Sequence, residues 1–192
     1  MLKLNCDFYL ASQSPRRKKL LEQIGLKPKL LKFNFNEEFH TDDNPLQTVK
    51  RIANHKMDFA LREEKKGIIL TADTIVVLNN KIIGKPNDKD DAFKILNRLS
   101  HKTHLVYTGF VLYNTLTKKR IFNYSKSKVT FRKLQKNEIW DYIESGSPMD
   151  KAGAYGIQDD YGAVFVEKIS GCYYNVVGLP LSKVFFTLSE II

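Results

Sequence analysis

Asp73 stands in "TADTIVV", flanked by Leu70, Ala72, Ile75 and Val76. A carboxylate carried into an apolar run is expensive to bury unless a cation, a metal or a donor network receives it. An acid at a strand end therefore reads as a general base or a metal ligand. A carboxylate exposed at a turn or bulge is the plainer alternative. Thr74 beside it is, by itself, an ordinary strand former.

A second constellation is "LASQSPRRKKLLEQIG", residues 10–25. Ser14 and Pro15 are good first residues for a helix, and the N–H groups of a first turn favour an anion. Arg16 and Arg17 fall in that turn, where a cation is unfavourable by a few tenths of a kcal/mol to about 1 kcal/mol unless an anion is present. Serine hydroxyls, Ser12 among them, add donors. A phosphate site and a merely basic solvent face both explain the pattern.

Lys56 lies on the apolar stripe of its segment, seven residues after Val49 and four before Ala60. Its stem can snorkel to water, or its ammonium can point into a cleft as a point charge for phosphate. Lys85, in the "GKP" loop, has the same two readings. "DKAGAYGIQ" (150–158) sets Asp150, Lys151 and Gln158 among Gly153, Gly156, Ala152 and Ala154. Small residues let backbone approach a ligand closely, and a glutamine side chain reads a base edge as donor and acceptor. A glycine-rich turn is the simpler account. Together, cations that hold anions and carboxylates that hold a divalent metal are the equipment of phosphoryl chemistry.

The elements that must position these residues are legible from punctuation. "DFYLAS" (7–12) predicts a buried strand feeding a helix that Ser14 caps and that runs to Gly25. "KLLKFNF" (29–35) predicts a second strand, and Asn44–Pro45 opens a helix to about residue 64. Residues 67–86 predict two strands joined by Asn79–Asn80, a pair that tolerates positive φ. Asn87 or Asp88 caps the next helix, residues 103–134 alternate as long antiparallel strands, and 137–146 is a short helix stopped by Gly146. Residues 147–180 read as a glycine-rich loop region, where sites usually sit, and Pro180 opens a last helix. The mixture of strand–helix units and hairpins predicts one α/β domain, 1–192, with a mixed sheet.

Composition sets outer bounds. The chain has 192 residues, 43% hydrophobic and 27% charged, ordinary values for a soluble domain. No apolar run reaches the roughly 18–20 residues of a membrane span, and Asp7 interrupts the first apolar stretch, so neither a span nor a signal peptide is expected. Only Cys6 and Cys172 are present, far apart; this fits a reducing, cytoplasmic setting and argues against a zinc site or disulfide framework. Thirty-one basic against 21 acidic residues give +10, a balance that suits nucleic acid, anionic lipid or a phosphorylated small molecule. The lysines are scattered, with no recognition-helix pattern, so no stable nucleic-acid partner is expected; a basic nucleic-acid-binding or regulatory protein is the alternative.

"LASQSPRRKKLL", "ADTIVV", "GKP", "SGSPMDKAGAYGIQ" and "VVGLP" occur in the order and spacing of the Maf proteins, house-cleaning nucleotide pyrophosphatases, which the chain resembles over residues 10–180. The motif forms are similar to the branch acting on dTTP and UTP; an inosine or xanthosine triphosphate pyrophosphatase is the other enzyme reading. The resemblance implies a twisted mixed β-sheet with flanking helices, in two lobes around a deep cleft, usually a homodimer. It implies hydrolysis of a nucleoside triphosphate between its α and β phosphates, with Mg²⁺ or Mn²⁺, and extends to modified pyrimidine nucleotides. It makes Asp73 the base that activates water and a metal ligand, with Glu37 as the second acid of the metal; Glu38 stands next to it. It associates Arg16, Thr74 and Gln158 with substrate choice, and Ser12, Arg17, Lys56 and Lys85 with phosphate. Asp150 and Lys151 belong to the same substrate-binding loop as Gln158.

Overall fold

In a computed structural model, residues 4–31, 44–158 and 161–192 are described. Two runs of apolar residues with no charge other than Asp73 form the centre: β3 (Ile68–Leu78) is buried at every position except Thr74, which is half-buried. Strands β1 (Phe8–Ala11) and β2 (Lys29–Leu30) lie parallel to one another, and β1 lies parallel to β3. The parallel β1–β3 pair and the helix α1 (Pro15–Gln23) between β1 and β2 make the α/β half of the fold. Short β4 (Lys81–Ile83), long β5 (Thr103–Asn114) and β6 (Arg120–Phe131), and edge strand β7 (Val166–Ser170) add antiparallel pairs. The result is a seven-stranded mixed sheet in the order β2-β1-β3-β5-β6-β7, with β4 on β3.

The start and stop signals worked where a backbone group needed them. Asn79 and Asn80 adopt φ of 52° and 59° in the β3–β4 hairpin. Asn44 accepts from the Gln47 N–H at the start of α2 (Pro45–Ala60), and Asp88 accepts from the Asp91 N–H at the start of α3 (Lys89–Leu99). Gly146, at φ 74°, follows α4 (Lys136–Glu144). Helices α5 (Tyr173–Val177) and α6 (Leu181–Ile191) close the chain. Of the second expected strand only Lys29–Leu30 is formed among the described residues; positions 32–35 lie outside them.

Alternation along β3 divides the core into quarters. On one face Ile68, Leu70 and Ala72 join a cluster with α1 and α6, while Val76 and Leu78 join another with α3 and α4. On the opposite face Ile69 packs beneath α2 with Ala53 and Met57, while Ile75 and Val77 pack with Val49 and Ile82. Asp73 and Thr74 fall where each face passes from one cluster to the next. Hydrophobic clusters thus lie on both faces of the sheet and on either side of this waist.

Candidate active site

The pairing of β3 explains why a cleft opens at the waist. Strand β1 covers Ile68–Thr71 and ends at Ala11; β4 takes up the same edge only at Val76. Among the described residues, 72–75 therefore have no strand on that side, although β5 pairs them continuously on the other. A place where a strand changes neighbours is where open α/β sheets bind ligands. A cavity of about 670 Å³ occupies it, and Ser12, Arg16, Arg17, Lys56, Asp73, Thr74, Lys85, Asp150, Lys151 and Gln158 all line it.

Asp73 faces α2. Lys56 Nζ donates to Asp73 Oδ1 at 2.7 Å, with the two residues 9% and 3% exposed. Lys56 thus points inward from the buried stripe that Ile52, Ala53, Met57 and Ala60 also form. Thr71 Oγ1 donates to the Ala53 carbonyl at 2.8 Å and fixes the helix against the strand. A buried carboxylate balanced by an ammonium is what a general base or metal ligand needs in a site that excludes bulk water.

Thr74 faces the other way, toward Arg17. Ser14 occupies the N-cap position of α1, but its side chain makes no capping bond; its N–H donates to Ser12 Oγ at 3.2 Å. The first turn carries no acidic residue, so its positive end opens on the cleft without a carboxylate of its own. Arg17 is 8% exposed and joins three elements: Nε donates to the Gly178 carbonyl (2.9 Å), Nη1 to Ser12 Oγ (3.0 Å) and Nη2 to Thr74 Oγ1 (3.0 Å). Its charge is therefore held rigidly at the helix start. Lys18, by contrast, is half-buried and pairs with Glu22, at 3.5 Å one turn away.

The rim is ionic. Arg16 Nη1 meets Asp150 Oδ2 at 2.9 Å, and Lys151 Nζ meets Asp150 Oδ1 at 2.9 Å and the carbonyl of Ser147. Partial burial would raise the Asp150 pKa, but the bonds from Lys151 and Arg16 outweigh it and hold the carboxyl below its ordinary range. Lys85 is exposed in the loop after β4, and Gln158 is half-buried. Gly153 has φ 73°, and its N–H donates to the Gly84 carbonyl at 2.9 Å; a Cβ there would sit 2.8 Å from Val76 Cγ2. Only glycine brings this loop so close to β3.

Beyond Thr74 the wall turns apolar: Val76, Val106, Val176, Val177, Ile157 and Tyr155. Behind it, His104 Nε2 and Tyr155 OH lie 2.8 Å apart in a buried aromatic group with Phe131. Burial pushes the His104 pKa down to about 4 and the Tyr155 hydroxyl upward. Tyr155 and Gly178 fall within the quoted motifs, but the roles of these residues, with Thr108 and Asn175, were not read from sequence. Their partners lie 34 to 161 positions away, and the only local hint was the glycine after "YYNVV".

Glu37 and Glu38 lie outside the described residues. Among the described residues, no three His, Cys, Asp or Glu side chains gather as a metal cage. Asp73 offers a carboxylate oxygen on the cleft floor, a hard donor that fits a divalent cation carried in with phosphate oxygens, as Mg²⁺ is.

A sequence model of the family described as Maf-like protein matches residues 7–191. A protein of Syntrophomonas wolfei subsp. wolfei called dTTP/UTP pyrophosphatase is 45% identical over 94% of this chain and 95% of its own length. Proteins of the same name from Clostridium tetani and Dictyoglomus turgidum are 44% and 46% identical, covering 96% and 92% of this chain and 97% and 92% of their own.

Proposed function

The chain belongs to the Maf-like family, and on that premise we propose that it hydrolyses dTTP and UTP, with modified pyrimidine analogues, to the nucleoside monophosphate and pyrophosphate. The observation that carries this reading is the pairing of Asp73 with Lys56 on the open edge of β3, within one cavity with Arg16, Arg17 and an apolar wall. The apolar wall suits a nucleobase, and the helix start with its arginines suits the phosphates.

In this reading Asp73 takes a proton from a water molecule, whose oxygen attacks the α-phosphorus. The P–O bond to the bridging oxygen breaks, and pyrophosphate leaves with that bond's electron pair. Lys56 orients the carboxylate before the step, at 2.7 Å. Negative charge that builds on the phosphoryl oxygens meets Arg17, already fixed by its three bonds, and Arg16 and Lys85 at the rim. A Mg²⁺ or Mn²⁺ bound with the phosphates, held by Asp73 and by Glu37, would neutralise further charge.

No described helix is long and apolar enough to cross a membrane. The proposed setting is the cytoplasmic nucleotide pool, and the proposed assembly is a homodimer, which light scattering on the purified protein checks. The deciding experiment is turnover of a nucleotide panel (dTTP, UTP, dCTP, CTP, dATP, dGTP, ITP, XTP) with Mg²⁺ or Mn²⁺, reading monophosphate and pyrophosphate. Highest turnover of dTTP and UTP is expected; preference for ITP or XTP, or no turnover, overturns the reading.

A further inference from the structure

Thr108 does not line the cleft and is fully buried on β5, directly opposite Thr74 on β3. Its Oγ1 lies 2.9 Å from the Asn175 carbonyl. A carbonyl only accepts, and two oxygens this close with no proton between them repel, so Thr108 donates there. That uses its single proton. Thr74 Oγ1 lies 2.9 Å from Thr108 Oγ1, and the proton in this contact must then be that of Thr74. Arg17 Nη2, which cannot accept, donates to Thr74. One direction runs through the whole chain: Arg17 to Thr74 to Thr108 to the Asn175 carbonyl.

The end of this relay is locked. Asn175 is 0% exposed, and its Nδ2 donates to the Val106 carbonyl (3.0 Å) and to Ser127 Oγ (2.9 Å). The other acceptor near Thr74, the Gly178 carbonyl, is 3.5 Å away and already takes Arg17 Nε at 2.9 Å. Thr74 therefore meets a ligand with its proton committed inward. What its hydroxyl can offer the cleft is a lone pair. On the same face of β3, Val76 and its β5 partner Val106 form the apolar wall that suits a nucleobase.

We propose that Thr108 is a positioning residue that makes Thr74 a hydrogen-bond acceptor toward the base, so that the site takes a pyrimidine with an imide N3–H and rejects cytosine, whose N3 is itself an acceptor. The inference rests on the pyrophosphatase reading above and deepens it. Uracil and thymine share the N3–H; cytosine facing Thr74 would bring two acceptors together, which excludes it as an unpaired buried polar contact does.

The test measures pyrophosphate release from UTP, CTP and N3-methyl-UTP by the wild-type protein, Thr108→Val and Thr108→Ser. The wild type is expected to prefer UTP over CTP and over N3-methyl-UTP by at least about tenfold in kcat/KM. Thr108→Val keeps the shape but removes the acceptor that holds the Thr74 proton, and the UTP-to-CTP ratio should fall at least about tenfold. Thr108→Ser should restore it. A purely structural role for Thr108 would lower both nucleotides alike. A ratio unchanged in a folded Thr108→Val protein, or equal use of UTP and N3-methyl-UTP by the wild type, overturns the inference. The N3-methyl comparison decides if Thr108→Val does not fold. No turnover of any nucleotide by the wild type overturns the pyrophosphatase reading and this inference with it.

Discussion

Lys56 Nζ and Asp73 Oδ1 stand 2.7 Å apart, with side chains only 11% and 5% exposed, where residues 72–75 of β3 have, among the described residues, no strand along one edge. In the proposed mechanism Asp73→Asn removes the proton acceptor and leaves the shape. Pyrophosphate release should fall at least about 100-fold while circular dichroism stays native. Retention of most of the wild-type rate would rule out Asp73 as the base.

Lys56→Ala has a different signature, because it strands a buried carboxylate. A loss of about 3–5 kcal/mol in urea unfolding is expected, together with loss of turnover. A melting curve that matches the wild type would show that Asp73 finds enough water or other donors to stand alone.

Arg17→Lys preserves charge but gives up the planar fork that reaches Ser12, Thr74 and the Gly178 carbonyl together. An ammonium cannot span the three. Stability should drop by about 1–3 kcal/mol, and kcat/KM for the best substrate should drop with it. Asp150→Asn is the contrast: its partner Arg16 is 25% and Asp150 itself 58% exposed, so unfolding should move by less than about 1 kcal/mol.

His104 makes stability depend on pH. Its pKa is about 4 in the fold against 6.5 as an ordinary histidine, because burial disfavours the imidazolium. The unfolded chain binds the extra proton first as pH falls, so the contribution is whole above about 6.5 and is lost between there and about 4, by about 3 kcal/mol at most. Chemical denaturation at pH 7.5, 6 and 5 should show that decline, and His104→Gln should flatten it. Parallel pH profiles for the two proteins would exclude His104 as the source.

Gly153→Ala places a methyl group 2.8 Å from Val76 Cγ2 at a φ of 73°. A destabilisation of about 1–3 kcal/mol is expected from the clash and the backbone conformation. Turnover should fall as well, since the displaced loop carries Lys151 and Gln158. An alanine variant with wild-type kinetics would show that the loop can move off β3 without consequence.

Where one residue type answers one local need, the sequence was readable. Asn44, Asn79, Asn80, Asp88 and Gly146 each sit where a cap or a positive φ required them. Asp73 and Lys56, which the fold brings together, stood out for a related reason: both are charges on apolar periodicities. Strand β7 and helix α5 were not, and residues 147–180 read as loop. An edge strand with the pattern half-buried, exposed, exposed, half-buried, exposed has no alternation to detect, and α5 is a five-residue helix, too short for periodicity. Thr108 was invisible because its role depends on a cross-strand partner 34 residues away and on a carbonyl 67 residues away. Ser14 shows the limit in the other direction: it occupies the cap position, yet its hydroxyl does not cap.

The open stretch of β3 has a consequence for how such a protein can diversify. Consecutive residues of a strand face opposite ways, so Asp73 and the Thr74 hydroxyl beside the apolar wall are neighbours in sequence and strangers in space. In the proposed reading, substitutions at Val106 and Thr108 would retune which ligand is admitted while the layer that holds Asp73 and Lys56 stays in place. Thr74 is the exception, because Arg17 donates to it, and a change there would alter selectivity and the grip on phosphate together.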